Sequence, residues 1–334
     1  MADITTRTGT HDQDGYGVHP VRSERWAMIL AGGDGTRLLD LTRRIAGDDR
    51  PKQFCPLLGE ETLLSETRRR VAHGVSARRT IFSVTAAHAQ FYAPLLGDVS
   101  PRQIVTQPGN RGTAPAILYG LLRIAAVAPN DPVAIFPSDH YVSDDEAFMA
   151  HVGAAFDLAG ARPDLVALLG ITPDRPETEY GWIEPAQPVI GPRGWPLYRV
   201  RRFWEKPAPD LARTLLEDGC LWNSFVMVGR VASLLGLIDR ALPDLMRAFL
   251  PLRQVLGTHV EAAVAETVYH RLPPTDFSRA VLGPNHEHLA VLPVREVDWS
   301  DLGRPERVLA RRGTMVAPWA LVAPQLELAR AATA

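Results

Sequence analysis

The sequence predicts an α/β protein whose Rossmann-like, mostly parallel sheet is flanked by helices. The first observation is a short aliphatic run, Trp26–Ala31, that breaks into a glycine-rich loop. Such a run is typical of a parallel strand that is buried on both faces. The second observation is the alternation of similar runs with helical patterns, which predicts βαβ units. The third is a change to Pro- and Gly-rich turns after Ile171, which predicts a smaller antiparallel insertion.

The predicted elements follow in chain order. Strands are expected at Trp26–Ala31, Thr80–Thr85, Gln103–Gln107, Pro132–Pro137 and Leu165–Ile171. Helical stretches separate them at Leu63–His73, Ala114–Ala128 and Ala147–Ala159. Two short strands of the insertion are expected at Gly181–Glu184 and Tyr198–Glu205. Long helical segments are expected at Val231–Val255 and Glu261–Leu272, followed by a strand at Leu289–Trp299 and a helix that begins near Pro305. We place the insertion at about residues 173–230, where it forms the second wall of a cleft.

Composition excludes several classes of protein. The 334 residues are 46% hydrophobic and 22% charged, which is enough to bury a large core. Lys plus Arg total 36 and Asp plus Glu total 38, so there is no basic field to recruit nucleic acid. No apolar stretch approaches the roughly 20 residues of a membrane helix. The two cysteines, Cys55 and Cys220, are too few for a disulfide framework and are expected to be buried thiols.

The first 24 residues differ in pattern from the rest of the chain. They are polar and lack the apolar segment of a secretory signal, so we expect a flexible N-terminal tail and a cytoplasmic protein. Residues 25–334 are expected to form a single domain. The sequence does not determine the oligomeric state, and a homodimer is one of the open alternatives.

The loop after the first strand has a composition that suits phosphate binding. It reads Gly32-Gly33-Asp34-Gly35-Thr36-Arg37 and is followed by Pro51-Lys52-Gln53-Phe54. Glycines admit positive φ and let backbone N–H groups approach an anion, while Arg37 and Lys52 add positive charge. The spacing is neither that of a P-loop nor Gly-x-Gly-x-x-Gly. Taken alone, the loop is equally well explained as a tight turn between a strand and a helix.

The whole block from Ala31 to Phe54 resembles the opening of the sugar-1-phosphate nucleotidyltransferase family, and within it is most similar to the mannose-1-phosphate guanylyltransferases (GDP-mannose pyrophosphorylases). The resemblance extends over nearly all of residues 26–302. It implies transfer from a nucleoside triphosphate, with GTP favoured, to a sugar 1-phosphate such as mannose 1-phosphate. It also implies that Arg37 and Lys52 neutralise the triphosphate. The other nucleotide-binding residues implied in this segment are Ala31, Gly32, Gly33, Gly35 and Thr36.

A second segment, Gln107–Ala116, runs from a strand end through a turn into an apolar helix. Ligands bind at this edge of open α/β sheets. Its simplest explanation is a helix start with Thr113 as N-cap and Pro115 in the first turn. The resemblance adds that this is the base- and ribose-binding segment, with Gln107, Gly112 and Thr113 as the contacting residues. Side-chain type does not reveal which base they prefer.

Two aspartates follow apolar runs far apart in the sequence. Asp139 comes after Pro132–Pro137, and Asp301 comes after Leu289–Val294. A lone Asp at such a position is more often a turn former or helix cap. The resemblance implies that this pair holds the catalytic Mg²⁺, with Asp298 as an alternative ligand or a neighbouring partner. Two carboxylates are enough for Mg²⁺ when phosphates and waters complete its coordination.

Three short motifs lie in the predicted insertion: Tyr180-Gly181-Trp182-Ile183, Glu205-Lys206-Pro207 and Trp222-Asn223-Ser224. Each is also compatible with ordinary strand edges, and Trp222 with the core. The resemblance makes this half the sugar side of the cleft. Glu205 and Asn223 would then bind hydroxyls, Lys206 the sugar phosphate, and Gly181 would permit close backbone approach.

The implied chemistry needs no protein nucleophile, because a sugar 1-phosphate already carries an anionic oxygen. The implied catalytic residues are therefore charged groups: Arg37, Lys52, Asp139, Lys206 and Asp301. The sequence departs from the family pattern at two places. Leu39-Asp40 in the first motif bears on the packing of the triphosphate loop, whereas Phe225 after Asn223-Ser224 lies beside the sugar and leaves its identity open. An adenylyl- or thymidylyltransferase for glucose 1-phosphate is one alternative, and a non-catalytic regulatory subunit that binds sugar nucleotides is another. The segment after Leu302 is too short for the isomerase domain of longer relatives.

Overall fold

The computed structural model describes residues 24–191 and 194–314. The strands are β1 Trp26–Leu30, β2 Thr80–Thr85, β3 Ile104–Gln107, β4 Pro132–Pro137, β5 Tyr141–Val142, β6 Val166–Ile171, β7 Gly181–Ile190, β8 Pro196–Glu205, β9 Leu221–Arg230, β10 Leu289–Val294 and β11 Trp299–Ser300. The helices are α1 Leu39–Ala46, α2 Leu63–Ala72, α3 Ala89–Tyr92, α4 Thr113–Ala125, α5 Asp145–Ala161, α6 Pro209–Glu217, α7 Val231–Ala241, α8 Pro243–Ala248, α9 Leu250–Gln254, α10 Glu261–His270 and α11 Pro305–Thr314. The predicted N-terminal tail lies almost entirely outside the described residues.

Nine strands form one mixed sheet in the order β3-β2-β1-β4-β9-β6-β10-β8-β7. The pairs β3–β2, β2–β1, β1–β4 and β6–β10 are parallel, whereas β9 runs antiparallel to both β4 and β6. At the other edge β8 and β7 form the antiparallel pair that the insertion predicts, and the first residues of β7 also pair with those of β9. The predicted Rossmann-like α/β class is confirmed, but the sheet is mixed rather than mostly parallel, because β9 inserts antiparallel between β4 and β6 and β8 pairs antiparallel with β10.

Both faces of the sheet are covered, which explains why β1 is apolar throughout. Ala27 and Ile29 pack into the core beneath α2 and α5, whereas Trp26 and Met28 pack into the core formed with α4 and α7. Alternate side chains of a strand point to opposite faces, so a strand covered twice has no polar side.

Two segments depart from the predicted elements because of local backbone chemistry. Residues 231–255 form three helices rather than one, since α8 and α9 each begin with a proline in the first turn and Leu242 is not helical. The last predicted strand, residues 289–299, is also divided. β10 ends at Val294, Glu296 has a positive φ of 59°, and β11 pairs with β5 in a separate two-stranded sheet.

Five elements were not predicted: α1, α3, α6, β5 and β9. The ten-residue strand β9 lies between β4 and β6, although its residues fall within the segment assigned to the insertion. Trp222 on β9 belongs to the core, as expected. The boundaries of the insertion remain a prediction.

The remaining sequence predictions concern the cysteines and the membrane. Cys55 and Cys220 are free and buried, and burial raises the pKa of each thiol to about 11. Such thiols are unreactive near neutral pH. None of the helices within residues 24–191 and 194–314 combines the length and apolar content that a membrane span requires.

Candidate active site

A cleft of about 580 Å³ opens where β1, β3 and β4 end. Its walls come from both the parallel half of the sheet and the β7–β9 region. Twelve of the predicted site residues line it: Gly32, Gly33, Arg37, Gln107, Gly112, Thr113, Asp139, Gly181, Glu205, Lys206, Asn223 and Asp301. The structure therefore brings together motifs that are dispersed over most of the chain.

The other predicted residues lie beside this cleft. Gly35, Thr36 and Lys52 line a smaller pocket of about 220 Å³, which shares Arg37 and Asp301 with the cleft. Ala31 is buried at the base of the loop, where its N–H donates to the carbonyl of Ser83 at 2.8 Å.

The carbonyl groups of the glycine loop are held by side chains beneath it. The buried amide of Gln53 donates to the carbonyls of Ala31 at 3.2 Å and Gly33 at 2.7 Å, and the Thr85 hydroxyl donates to that of Gly32 at 2.9 Å. In a trans peptide the N–H points opposite to the preceding carbonyl. The N–H groups of residues 32–34 therefore point away from these partners, an arrangement that suits an anion.

The segment at residues 107–113 is fixed from behind. The Gln107 amide nitrogen donates to the Ser83 hydroxyl at 3.1 Å, and its oxygen accepts from the Tyr269 hydroxyl at 3.4 Å. The prediction that Thr113 is the N-cap of the helix is wrong. Gly112 occupies that position without a side-chain cap, and the Thr113 hydroxyl instead accepts from the N–H of Phe277 at 2.8 Å.

We predict that Gly112→Ala destabilises the protein. Gly112 has a φ of 83° and a ψ of 179°, and an added Cβ would collide with the backbone oxygen of Thr275. Backbone strain of this kind costs about 1–3 kcal/mol before the collision is counted. Chemical denaturation of Gly112→Ala should show this loss. Gly109→Ala is the matched control, since its Cβ meets no atom within 4 Å; equal stability of the two variants would contradict the prediction.

The two predicted metal aspartates are brought together by the β5–β11 pair. Tyr141 lies opposite Ser300, so the residues just before β5 and just after β11 are neighbours. Lys52 connects both sides: its Nζ lies 3.2 Å from the Asp139 carboxylate and donates to the carbonyl of Asp301 at 2.5 Å.

Several donors fix the Asp301 carboxylate. Its Oδ1 accepts from the Tyr180 hydroxyl at 3.0 Å, the Gly303 N–H at 2.9 Å and Arg307 at 2.5 Å. Burial by itself raises the pKa of Asp301, but His140 and the charges of Lys52 and Arg307 outweigh it and hold that pKa below its ordinary value. The side chain is therefore an anion at neutral pH.

This donor set fits Mg²⁺ when a nucleotide supplies further ligands, because two carboxylates reach one cleft. Within the described ranges no group of three or more His, Cys, Asp or Glu side chains forms a metal site by itself. Asp298, the alternative ligand, is absent from the residues lining the cleft and pairs with Arg311 at 3.1 Å. The metal assignment to Asp139 and Asp301 stays a prediction.

His140 also lines the cleft and packs edge-on against Trp299, with ring centroids 5.1 Å apart. Burial lowers the pKa of His140 to about 4, even though the neighbouring Asp139 acts to raise it. The ring is therefore neutral and weakly basic at neutral pH, in keeping with chemistry that requires no base.

The opposite wall is closely packed around Gly181. An added Cβ there would lie 3.0 Å from Oε2 of Glu205 and 3.3 Å from Cβ of Asn223. Lys206 has a positive φ of 50°, and its Nζ lies 3.4 Å from Glu205. Phe225, where the family pattern has glycine, also has a positive φ, 61°. Phe225 therefore keeps the left-handed backbone conformation that glycine adopts more readily at this position.

A family model described as Nucleotidyl transferase matches residues 26–311. The chain belongs to this family. Mannose-1-phosphate guanylyltransferase of Escherichia coli (strain K12) is 29% identical over 84% of the chain, and that of Sinorhizobium fredii (strain NBRC 101917 / NGR234) is 32% identical over 82%. The chain spans only 58% and 52% of the lengths of these relatives.

A solved structure agrees with this membership of the nucleotidyl transferase family. It is described as mannose-1-phosphate geranyltransferase from Thermus thermophilus and is 31% identical to the chain. The match covers 86% of this chain and 79% of the other, with a TM-score of 0.73. The family resemblance inferred from the motifs is confirmed.

Three residues that line or support this nucleotidyl transferase cleft were not assigned a role from the sequence. Gln53 belongs to the Pro51–Phe54 motif, and only its buried position reveals that it holds the glycine loop. The sequence indicates only a strand edge at Tyr180, whereas its hydroxyl donates to the carboxylate of Asp301. Arg307 gave no signal at all, because it occurs in an ordinary helical pattern after the last motif.

Proposed function

We propose that this chain transfers a nucleotidyl group from a nucleoside triphosphate to a sugar 1-phosphate and releases pyrophosphate. The observation that carries the proposal is that one cleft contains the glycine loop with Arg37, the Asp139 and Asp301 carboxylates, and Glu205 with Lys206. We propose GTP and mannose 1-phosphate as the favoured pair, since the curated relatives are named for that reaction.

The reaction joins two anions, so its main obstacle is repulsion. An oxygen of the sugar phosphate attacks the α-phosphorus, a new P–O bond forms, and the bond from that phosphorus to the oxygen of the leaving pyrophosphate breaks. Mg²⁺ held by Asp139 and Asp301 would neutralise phosphate charge at this point. Lys206 would orient the sugar phosphate, and Arg37 and Lys52 would stabilise the charge on the departing pyrophosphate.

Substrate choice can be tested with a matrix of nucleotides and sugar phosphates. The purified chain is incubated with GTP, ATP or dTTP and with mannose or glucose 1-phosphate, and pyrophosphate release is followed. We expect the fastest release with GTP and mannose 1-phosphate. Fastest release with ATP or dTTP and glucose 1-phosphate would support the alternative transferases, and no release with any pair would support a non-catalytic sugar-nucleotide-binding protein.

Lys206→Ala should weaken binding of the sugar phosphate selectively. Losing a charged hydrogen-bond partner costs about 1.5–3 kcal/mol, so the KM for the acceptor should rise by about tenfold or more while that for the nucleotide changes little. Steady-state kinetics with each substrate varied in turn measure this difference. Arg201→Ala is the control, because Arg201 lies on β8, which ends just before Lys206, but is absent from the cleft lining. Equal shifts in both KM values would remove Lys206 from the sugar side.

Gln107→Ala should alter the preference among GTP, ATP and dTTP and leave the acceptor preference nearly constant. Gln107 is only 2% exposed and its amide positions the back wall of the cleft, so its loss changes the shape that a base meets. The ratio of kcat/KM values is the quantity to measure. Gln103→Ala, at the opposite end of the β3 region, is the control. An unchanged nucleotide ratio would place base recognition elsewhere.

A further inference from the structure

Arg307 on α11 lies among three carboxylates at the edge of the cleft. Its guanidinium is 2.5 Å from Asp301, 2.8 Å from Glu177 and 3.1 Å from Glu179. Only 11% of its side chain is exposed. Ion pairs of this kind are screened less by solvent than those on the surface. The guanidinium is therefore a local positive charge held against a predicted metal ligand.

The same side chain joins the two walls of the cleft. Its guanidinium carbon lies 4.5 Å from the centre of the Tyr180 ring, and the Tyr180 hydroxyl donates to the carboxylate that Arg307 contacts. Glu179, which lines the cleft, is also bound by Arg304 through two contacts of 2.7 Å. Arg307 thus connects Asp301 with the loop that precedes Gly181. Arg304 contacts Glu179 of the same loop.

We propose that Arg307 is a positioning residue that competes with a divalent cation for the charge of Asp301; this rests on the metal role proposed for Asp301. A cation approaching this carboxylate meets a fixed positive charge and loses part of its attraction. Binding of the cation by the protein alone is therefore weak. A triphosphate that arrives with the cation offsets the positive charges of Arg307 and Lys52, so cation and nucleotide bind cooperatively.

The test measures Mn²⁺ binding to the full chain without substrates, by isothermal titration calorimetry. Arg307→Met should bind Mn²⁺ about fivefold or more tightly than the wild type, the lower end of usual coupling between sites. Arg307→Lys, which keeps the charge, should bind as the wild type does. Arg304→Met is the matched control: Arg304 lies just before α11 and contacts Glu179 of the same loop, so the variant removes a nearby charge, and its Mn²⁺ affinity should not change. Adding a non-hydrolysable triphosphate should tighten Mn²⁺ binding more in the wild type than in Arg307→Met.

Asp301→Asn separates failure of this inference from failure of the metal assignment. If Asp301→Asn weakens Mn²⁺ binding while Arg307→Met leaves it unchanged or weaker, the competition is overturned and the metal ligand stands. If Asp301→Asn has no effect on Mn²⁺ binding, the metal assignment is overturned, and the role of Arg307 with it. Should Arg307→Met not fold, Arg307→Gln replaces it, since it removes the charge and keeps hydrogen-bond donors. The same tightening is expected, and its absence is equally decisive.

Discussion

Asp139→Asn and Asp301→Asn should each reduce kcat for nucleotidyl transfer by about a hundredfold or more, the scale on which loss of electrostatic stabilisation acts. Asparagine keeps the side-chain size but removes the negative charge that we assign to the divalent cation. Both carboxylates act through one ion, so the double variant should be little worse than either single variant. Steady-state rates at saturating Mg²⁺ and substrates measure these effects.

Asp298→Asn is the matched control for this pair. It changes the same residue type three positions before Asp301, but Asp298 is absent from the cleft lining and pairs with Arg311. Its activity should remain close to that of the wild type. A large loss in Asp298→Asn combined with full activity in Asp301→Asn would move the metal ligand to the alternative position.

Lys52→Met should lower both activity and stability. The Lys52 side chain is 12% exposed and binds the Asp139 carboxylate and the carbonyl of Asp301, so its removal takes a donor from two partly buried acceptors. Such a loss costs about 1–3 kcal/mol, or more for charged groups. We expect a lower midpoint of chemical denaturation and a fall of about a hundredfold in kcat/KM for the nucleotide.

Lys52→Arg should lose activity as Lys52→Met does, although arginine keeps the positive charge. Lys52 and Lys206 are the only lysines in the sequence, and both are placed at the predicted site. An ammonium is a compact point charge, whereas the planar guanidinium requires more space than the contacts around Lys52 leave. Arg44→Met, which removes an exposed cation from α1, is the control for Lys52→Met. Wild-type kinetics for Lys52→Met would exclude Lys52 from pyrophosphate stabilisation.

The parallel half of the fold could be predicted because its local signals agree. Each strand is a short apolar run, and Trp26–Ala31 is followed directly by glycines, which disfavour continuation as a helix. β9 could not be predicted in the same way. It lies between β4 and β6, and this neighbourhood depends on non-local pairing that no short window contains. The division of residues 231–255 was legible in principle, since Pro243 and Pro251 interrupt the helical pattern.

Site residues were predictable where they belong to motifs and not where they act through tertiary contacts. Asp139 and Asp301 were named from motifs, but their meeting point depends on the β5–β11 pair. Thr113 has the composition of an N-cap, yet its hydroxyl binds Phe277, more than a hundred residues later in the chain. Arg307 is one of many arginines in helices, and only its three carboxylate partners distinguish it.

The most direct measurement of the proposed reaction follows oxygen atoms from substrate to product. The chain is given the fastest pair from the substrate matrix, with ¹⁸O in the non-bridging phosphoryl oxygens of the sugar 1-phosphate, and the products are analysed by mass spectrometry. Attack by the sugar phosphate on the α-phosphorus predicts a nucleotide sugar that retains all the label and pyrophosphate that carries none. Labelled pyrophosphate, or the absence of any nucleotide sugar, would contradict nucleotidyl transfer in this cleft.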